Sequence, residues 1–427
     1  MTANYWEGKK VAVLGWAVDS QDAAEWLARQ GAKICVYDKL AEVDKKGFED
    51  FEWRLGWERF EGLKSFDVIV RSPGVYRFRK EIVEAEKAGV EITSKTKIFF
   101  DLCPAKIIGV TGTKGKGTTT TLIYEILKRA GKKVFIGGNI GKGIFKFFDE
   151  LDGDSWVVLE LSSFQLIDLH KSPHVGVILM TTSDHMDWHK DVSEYVEAKA
   201  NLIRFQLSED FAVINRDYEN SRKIGEVGMG KKVWVSKSDW DGPIHLRGEH
   251  NRENMAAAAA VARILDIDQG IIKKVAEEFK GLEHRLEEVG VVDRVTFFDD
   301  SISTLPETTI AALDAFSEPT VLIAGGSEKG SDFSKLGEKI AGAKNIRGVI
   351  LIGLMARRVE EAIAKAGGKV KLVKGLANMH EIVGAVRDLA KPGDVVLLSP
   401  GAASFDMFKN YKDRGEQFKK EVKLACG

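Results

Sequence analysis

The chain has 427 residues, 44% of them hydrophobic and 30% charged, with a formal net charge of −1. Its length predicts two to four domains at ~100–200 residues each, and its near-neutrality excludes partners captured by a global field, so no nucleic acid or anionic membrane surface is expected and any basic site must be local. Cys35, Cys103 and Cys426 stand far apart without CxxC spacing, which argues against a disulfide framework or a structural zinc site and suits a reducing cytoplasm.

In chain order, the opening "MTANYWEGKK" lacks the apolar run of a secretion signal. No window reaches the ~20 apolar residues of a membrane span, so neither export nor membrane insertion is expected. "KKVAVLG" and the Ala-rich periodic stretch "SQDAAEWLARQGAKICVYDK" predict strand, helix, strand, the start of a Rossmann-like unit. Asp38 closes the second strand, where such folds meet a ribose or a following phosphate. The glycine fingerprint fails, because Trp16, Ala17 and Val18 follow Gly15. A nicotinamide dinucleotide site is disfavoured on that ground. "FDVIVRSPGV" adds a buried strand ending in a Pro-Gly turn, and residues 1–102 read as one small α/β domain.

A second unit, residues 103–287, opens with "AKIIGVTGTKGKGTTTTLIYEILKRAGKKV": strand, Gly-rich loop, then a helix stopped at Gly131. "SWVVLEL", "VGVILM" and "DFAVIN" read as further strands and "NRENMAAAAAVARILD" as a helix, an alternation that predicts a mainly parallel sheet. The third unit, residues 288–427, repeats the pattern through "RVTFFDDS", "TVLIAGG", "RGVILIG", "VKLVKG" and "DVVLLSPG". Its strands end in polar or Gly-rich turns, where open α/β sheets place ligands.

The Gly109–Leu122 stretch, "GVTGTKGKGTTTTL", resembles a phosphate-binding loop with a displacement in it. The strict pattern is G-x-x-x-x-G-K-[ST], in which backbone amides cradle phosphates, the Lys meets the terminal phosphates and the hydroxyl serves Mg²⁺. Here Val110 stands six before Lys116 and Gly117 follows it. Phosphate binding is still the best-supported local reading, because the loop follows an apolar strand and Thr118, Thr119, Thr120 and Thr121 open a helix whose N-terminus favours an anion. In "LELSSFQL", Glu160 ends a buried strand, which is costly for a carboxylate unless it is salt-bridged or bound to a cation such as Mg²⁺. "TTSDHMDWHK" brings together Asp184, His185, Asp187 and His189, by itself a hydrogen-bonded loop and, beside a P-loop and Glu160, a ligand set. Lys199 in "SEYVEAKANLI" reads locally as a solvated helical lysine.

Taken together, "GVTGTKGKGT", "GGNIG", "ELSSFQL", "DHMDWH", "GEHNRENMAAA", "GLEHRLE", "DDS", "AGGSEKGSDF" and "LSPGAASFDMFKNYKDRGEQF" resemble the Mur ligase family, most closely its D-glutamate-adding members, over nearly the whole chain. The resemblance implies an α/β fold of three domains: a Rossmann-like N-terminal domain for a UDP substrate, a central P-loop ATPase domain with a mainly parallel sheet, and a Rossmann-like C-terminal domain for the amino acid. It implies a cytoplasmic, monomeric enzyme of peptidoglycan precursor synthesis. ATP would phosphorylate the carboxylate of UDP-N-acetylmuramoyl-L-alanine, and the glutamate amine would displace phosphate from the acyl phosphate. By motif position Gly112, Thr113, Gly115, Lys116, Gly117 and Thr118 would bind ATP phosphates, with Lys116 on the β- and γ-phosphates. Asn254, Arg285 and Asp300 would contact adenine, phosphate and ribose. Mg²⁺ would be held by Thr118, Glu160, His185 and Lys199, the last as a carbamate, and Lys116, His185 and Lys199 form the implied catalytic set. Gly15, Asp38, Ser72 and Asn139 fall on the UDP side, and Thr304, Lys329, Ser404 and Tyr411 on the glutamate side.

Three positions depart from the family pattern. Gly117 stands where Ser or Thr normally follows the P-loop Lys, a "GKGT" detail similar to folylpolyglutamate synthases. The turn after Gly15 lacks the usual glycines, and Ile302 replaces a Lys in "DDSISTLPE". The last departure keeps an L-glutamate-adding ligase as the alternative, with a folylpolyglutamate synthase behind it, disfavoured because those enzymes lack a UDP-binding first domain.

Overall fold

The structure, a computed structural model, describes residues 5–56, 60–140, 143–186, 188–327 and 331–425. Among these residues the strands form three sheets. The first comprises β1 (Lys10–Leu14), β2 (Lys33–Asp38), β3 (Glu52–Leu55), β4 (Val68–Arg71) and β5 (Glu91–Ser94), all parallel, in the order β3-β2-β1-β4-β5. The order reverses between β1 and β4, so a crevice opens beyond their C-terminal ends, the place where doubly wound sheets bind ligands.

The second sheet is also parallel throughout, in the order β11-β10-β9-β6-β8-β7. Its strands are β6 (Lys106–Thr111), β7 (Val134–Gly138), β8 (Trp156–Glu160), β9 (Val175–Ile178), β10 (Phe211–Asn215) and β11 (Lys231–Val235). Strands β6, β8, β9 and β10 are buried nearly end to end, as expected for a parallel sheet covered on both faces. The helix His250–Ile264 carries a run of alanines, Ala256 to Ala260, whose small side chains let it lie close against the helix Lys116–Arg129.

The third sheet has the order β12-β13-β17-β14-β15-β16, built from β12 (Glu287–Val292), β13 (Val295–Asp299), β14 (Thr320–Gly325), β15 (Ile346–Ile352), β16 (Lys371–Val373) and β17 (Val395–Leu398). All pairings are parallel except β12 with β13, an antiparallel edge with a register shift between Glu288 and Gly290. The chain divides into two compact units, Met1–Ile244 with Glu249–Glu277, and His245–Gly248 with Glu278–Gly427. The first unit therefore holds two sheets and the second unit one.

Within the first unit a continuous apolar core runs from Val11, Val13 and Val36 to Val157, Leu159 and Ile178. Trp26 stacks on Phe145 with ring centroids 4.6 Å apart, and Phe99 meets Phe145 and Phe147 edge-on. A polar joint crosses the same unit. Arg71, at the end of β4, is 1% exposed and donates to the carbonyls of Ser72, Pro73 and Val75. Its other terminal nitrogen donates to the Phe164 carbonyl (2.9 Å) and to Asp168 Oδ1 (3.1 Å), and Arg77 Nε lies 3.4 Å from Asp168 Oδ2. Removing one partner of such a pair strands a charge in a dry site. Arg71→Met should therefore cost about 3–5 kcal/mol, and Arg71→Met with Asp168→Leu should recover much of it; urea unfolding of the two variants checks this.

Candidate active site

The loop after β6 enters the helix Lys116–Arg129 from Gly115, whose φ of 85° is left-handed and whose missing Cβ leaves room for the Asn254 side-chain oxygen, 2.2 Å from where a Cβ would stand. The Lys116 ammonium donates to the carbonyls of Gly112 (3.0 Å) and Thr113 (3.1 Å). Thr119 Oγ1 donates to Asn254 Oδ1 (3.2 Å) and Thr120 Oγ1 to the Lys116 carbonyl (2.8 Å). Among the described residues, nothing hydrogen-bonds the hydroxyl of Thr118. Thr113 organises the loop's far side: its hydroxyl meets Tyr195 Oη at 2.8 Å and accepts from the Thr182 amide at 3.0 Å. Asn254 is accordingly placed against the P-loop, its amide nitrogen donating to Asn251 (2.9 Å).

Lys199 is not the solvated lysine that its local sequence suggests. It is 1% exposed, on the helix Val192–Arg204. That helix can approach its sheet because Gly109 and Gly176 carry no side chains where ideal Cβ atoms would fall 2.7 Å from Leu202 and 2.5 Å from Ile203. The amine donates to the Gly112 carbonyl (2.9 Å) and Thr111 Oγ1 (3.3 Å), and lies 4.6 Å over the Tyr195 ring. Burial pushes its pKa well below the usual lysine range; Lys116 adds to the shift, while Asp184 and Glu160 oppose it. Three charged groups thus act on this one amine, and of these Glu160 is buried at the end of β8 opposite Val110 of β6 and Gly138 of β7.

The His-rich loop separates into unlike parts. His185 is half-exposed in a left-handed conformation (φ 57°), with Nε2 3.7 Å from Asp184 Oδ2 and its ring 4.7 Å from that of Phe164. His189 instead turns inward, Nδ1 meeting Glu194 at 3.0 Å and Nε2 meeting Ser163 at 2.8 Å. Burial lowers its pKa, with Glu194 opposing, and both ring nitrogens are engaged, so His189 packs the loop. Asp187 lies outside the described residues.

At the ends of β1 and β4 lies a cavity of about 860 Å³, whose walls include Gly15, Asp38 and Ser72. That volume suits a ligand of nucleotide size. The Asp38 carboxylate accepts from the amides of Trp16 (2.6 Å) and Leu40 (2.9 Å), so it shapes the turn through backbone donors. Ser72 Oγ donates to the Gly15 carbonyl (2.6 Å). The Trp16 ring packs edge-on against Phe48 and Trp53, each 4.9 Å away, which explains how a turn without the usual glycines still leaves the cavity open. Asn139 is exposed after β7, its amide donating to the Glu160 carbonyl (3.0 Å).

In the second compact unit, Arg285 is exposed on a turn in which His284 and Leu286 both have positive φ. Asp300 faces inward: it is 2% exposed, accepts from Ser399 Oγ (2.7 Å) and the Leu286 amide (3.2 Å), and burial raises its pKa to about 6. Thr304, Ser404 and Tyr411 follow the adjacent strands β13 and β17, with Ser404 buried and Thr304 and Tyr411 partly exposed. Lys329 lies outside the described residues. Arg414, unremarked in the sequence, is fully buried and ties these loops together, donating to the Ser301, Ala402 and Ala403 carbonyls and to Ser301 Oγ. His284, Glu287 and Asp299 could in composition hold a cation, but His284 pairs with Asp299 at 2.7 Å and Lys419 lies 3.3 Å from Glu287, so internal ion pairs close the group.

The sequence singles out none of Arg71, Asp168, Trp188 and Arg414, although Trp188 lies within "DHMDWH" and Arg414 within "KNYKDRGEQF", and the SPG and ELSSFQL motifs flank the first pair. Residues 110–238 match the Mur ligase middle domain and residues 284–401 the Mur ligase glutamate ligase domain. The chain is 39% identical to a UDP-N-acetylmuramoylalanine–D-glutamate ligase of Acetivibrio thermocellus and 37% identical to one of Clostridium botulinum, in each case over 97% of this chain and 96% of the relative. Among solved structures it shares its fold with a MurF of Acinetobacter baumannii (TM-score 0.61, 15% identity, 99% of this chain and 92% of that one). It likewise matches a MurC of Thermotoga maritima (TM-score 0.58, 16% identity, 98% of this chain and 100% of that one). With two domain matches, relatives aligned almost end to end, and a Gly-rich loop whose Gly112 carbonyl accepts from both Lys116 and the buried Lys199, the chain belongs to the Mur ligase family.

Proposed function

We propose that the chain joins glutamate to the lactoyl-L-alanine carboxyl of UDP-N-acetylmuramoyl-L-alanine at the expense of ATP, as a cytoplasmic, monomeric enzyme of peptidoglycan precursor synthesis. The observation that carries this reading is the burial of Lys199 against the P-loop carbonyl of Gly112, beside Lys116 and Glu160, in a chain whose first sheet ends in a nucleotide-sized cavity. The relatives' names support the D enantiomer, and their alignment through the first domain argues against a folate substrate. Residues 1–102, 103–287 and 288–427 are then the UDP-substrate, ATP and amino-acid domains.

A carboxylate is a poor electrophile, and it must meet an anionic phosphoryl donor. Lys116 and the helix N-terminus at Gly115 would neutralise the transferring phosphoryl group, while positioning supplies much of the remaining rate. The γ-phosphoryl passes to a carboxylate oxygen with loss of ADP; the glutamate amine then attacks that carbon, loses a proton and displaces phosphate. The Thr118 hydroxyl and Glu160 carboxylate are hard oxygen donors suited to Mg²⁺, with His185 and a carbamylated Lys199 completing the set. The ion would supply positive charge to the phosphate oxygens. A neutral Lys199 amine can add to CO₂ and release a proton, which turns a repelling cation into an anion. Asn254, Arg285 and Asp300 would serve the nucleotide, Gly15, Asp38, Ser72 and Asn139 the UDP-sugar, and Thr304, Lys329, Ser404 and Tyr411 the incoming glutamate.

Phosphate release from ATP with UDP-N-acetylmuramoyl-L-alanine and D-glutamate, compared with L-glutamate and with folate plus glutamate, tests the assignment. Turnover with D-glutamate alone is expected, and turnover only with folate overturns it. Thr118→Ala should raise the Mg²⁺ concentration for half-maximal rate by about 10-fold, a charge-assisted contact being worth ~1.5–3 kcal/mol, whereas Thr119→Ala should not. Lys199→Ala should lose nearly all activity and regain part of it with short carboxylic acids. Because burial holds the folded amine's pKa well below the 10.5 of an ordinary lysine, the unfolded chain binds the proton more tightly, and wild-type stability rises with pH from the lowered folded pKa up to about 10.5. In CO₂-free buffer Lys199→Met should therefore melt higher than wild type at pH 7, by an amount that shrinks as pH approaches 10.5.

A further inference from the structure

The cavity at the ends of β1 and β4 is walled almost wholly by residues of the first sheet's loops, between Gly15 and Arg79; Trp188 is the exception. It arrives from the loop that follows β9, three residues beyond His185. Its position is fixed from several sides. Nε1 donates to the Gly74 carbonyl at 3.2 Å, and its ring lies 4.4 Å from Phe164, 4.7 Å from His189 and 5.1 Å from Tyr76. Phe164 is itself held by its carbonyl to Arg71, and Tyr76 by its hydroxyl to Glu194 at 2.7 Å. With the indole N–H already bonded, the half-buried ring can offer the cavity only an apolar face. Such a face suits the C–H surface of a pyranose better than a charged or strongly hydrogen-bonding group.

We infer that Trp188 is a specificity residue for the sugar–peptide half of the nucleotide substrate. The inference rests on the ligase reading above, which requires the substrate to run from the cavity towards the P-loop with its carboxyl end leading. Trp188 stands where the wall of the cavity passes into the loop of His185, so the muramoyl ring packs on it while the uridine stays among the first sheet's loops. The segment that carries a candidate metal ligand thereby also completes the sugar site.

Calorimetric titration of the full chain with UDP and with UDP-N-acetylmuramoyl-L-alanine, without ATP or metal, tests this. Wild type should bind both. Trp188→Ala should weaken the complete substrate by about 10-fold and leave UDP within about 2-fold, while Trp188→Phe, which keeps a ring and loses the bond to Gly74, should retain most of the affinity for both. Equal weakening of both ligands in Trp188→Ala means that the cavity wall has collapsed and overturns the inference, as does unchanged affinity for the complete substrate. A wild-type chain that binds neither ligand overturns the ligase reading and this inference with it.

Discussion

The desolvated amine of Lys199 is the constraint around which the first unit is arranged. A lysine that loses its water needs acceptors, and the acceptors here are a P-loop carbonyl and the hydroxyl of the last β6 residue. Meeting that need requires the helix Val192–Arg204 to lie unusually near its sheet, which in turn requires glycine at 109 and 176. Tyr195, one turn earlier on the same helix, supplies both a ring beneath the amine and a hydroxyl that braces Thr113. Loop shape, helix packing and the reactive state of one nitrogen are therefore a single arrangement. An ordinary protonated lysine at this place would be opposed by burial and by Lys116 together.

A second polar joint lies between the first two sheets. Arg71 fans across the carbonyls of the Ser72–Val75 turn and reaches Phe164 and Asp168 beyond it. Trp188 returns to the same turn through the Gly74 carbonyl. Buried pairs of this kind add little net stability relative to a well-packed apolar substitute, but they fix geometry, because both terminal nitrogens of Arg71 are directed at defined backbone or carboxylate oxygens. The turn that walls the cavity is thus held in register with the strand that ends in Glu160.

Strand–helix alternation made most of the sheet strands legible in the sequence, because buried parallel strands read as short apolar runs between turn signals. Strand β3, "EWRL", and strand β12, "EEVGVV", did not announce themselves: the first is polar and at an edge, and the direction of the second depends on its partner and leaves no mark in periodicity. At the site, the spacing of Gly and Lys marks the loop, and of the four threonines at its helix start Thr119 and Thr120 are engaged by side-chain hydrogen bonds while Thr118 and Thr121 are not, among the described residues. The burial of Lys199 was illegible locally, since its helix is amphipathic and the glycines that admit it lie on other strands. The pairing of Arg71 with Asp168 spans 97 residues and could not be read from either neighbourhood. His189 misled for the opposite reason: its sequence neighbours are candidate ligands, but its spatial neighbours are Ser163 and Glu194.

The edge of the third sheet has a consequence for how the chain behaves among its own copies. A parallel sheet that ended at β13 would present a buried-type strand, Val295–Asp299, with a row of open backbone donors and acceptors. Strand β12 covers that row, and its own ladder is broken by the register shift between Glu288 and Gly290. The opposite edge, β16, is only three residues long, and the outer strands of the first sheet, β3 and β5, have four each. Short or bulged borders are poor templates for strand addition. The first and third sheets are finished at their margins in a way that resists edge-to-edge aggregation while the chain is crowded by newly made copies of itself.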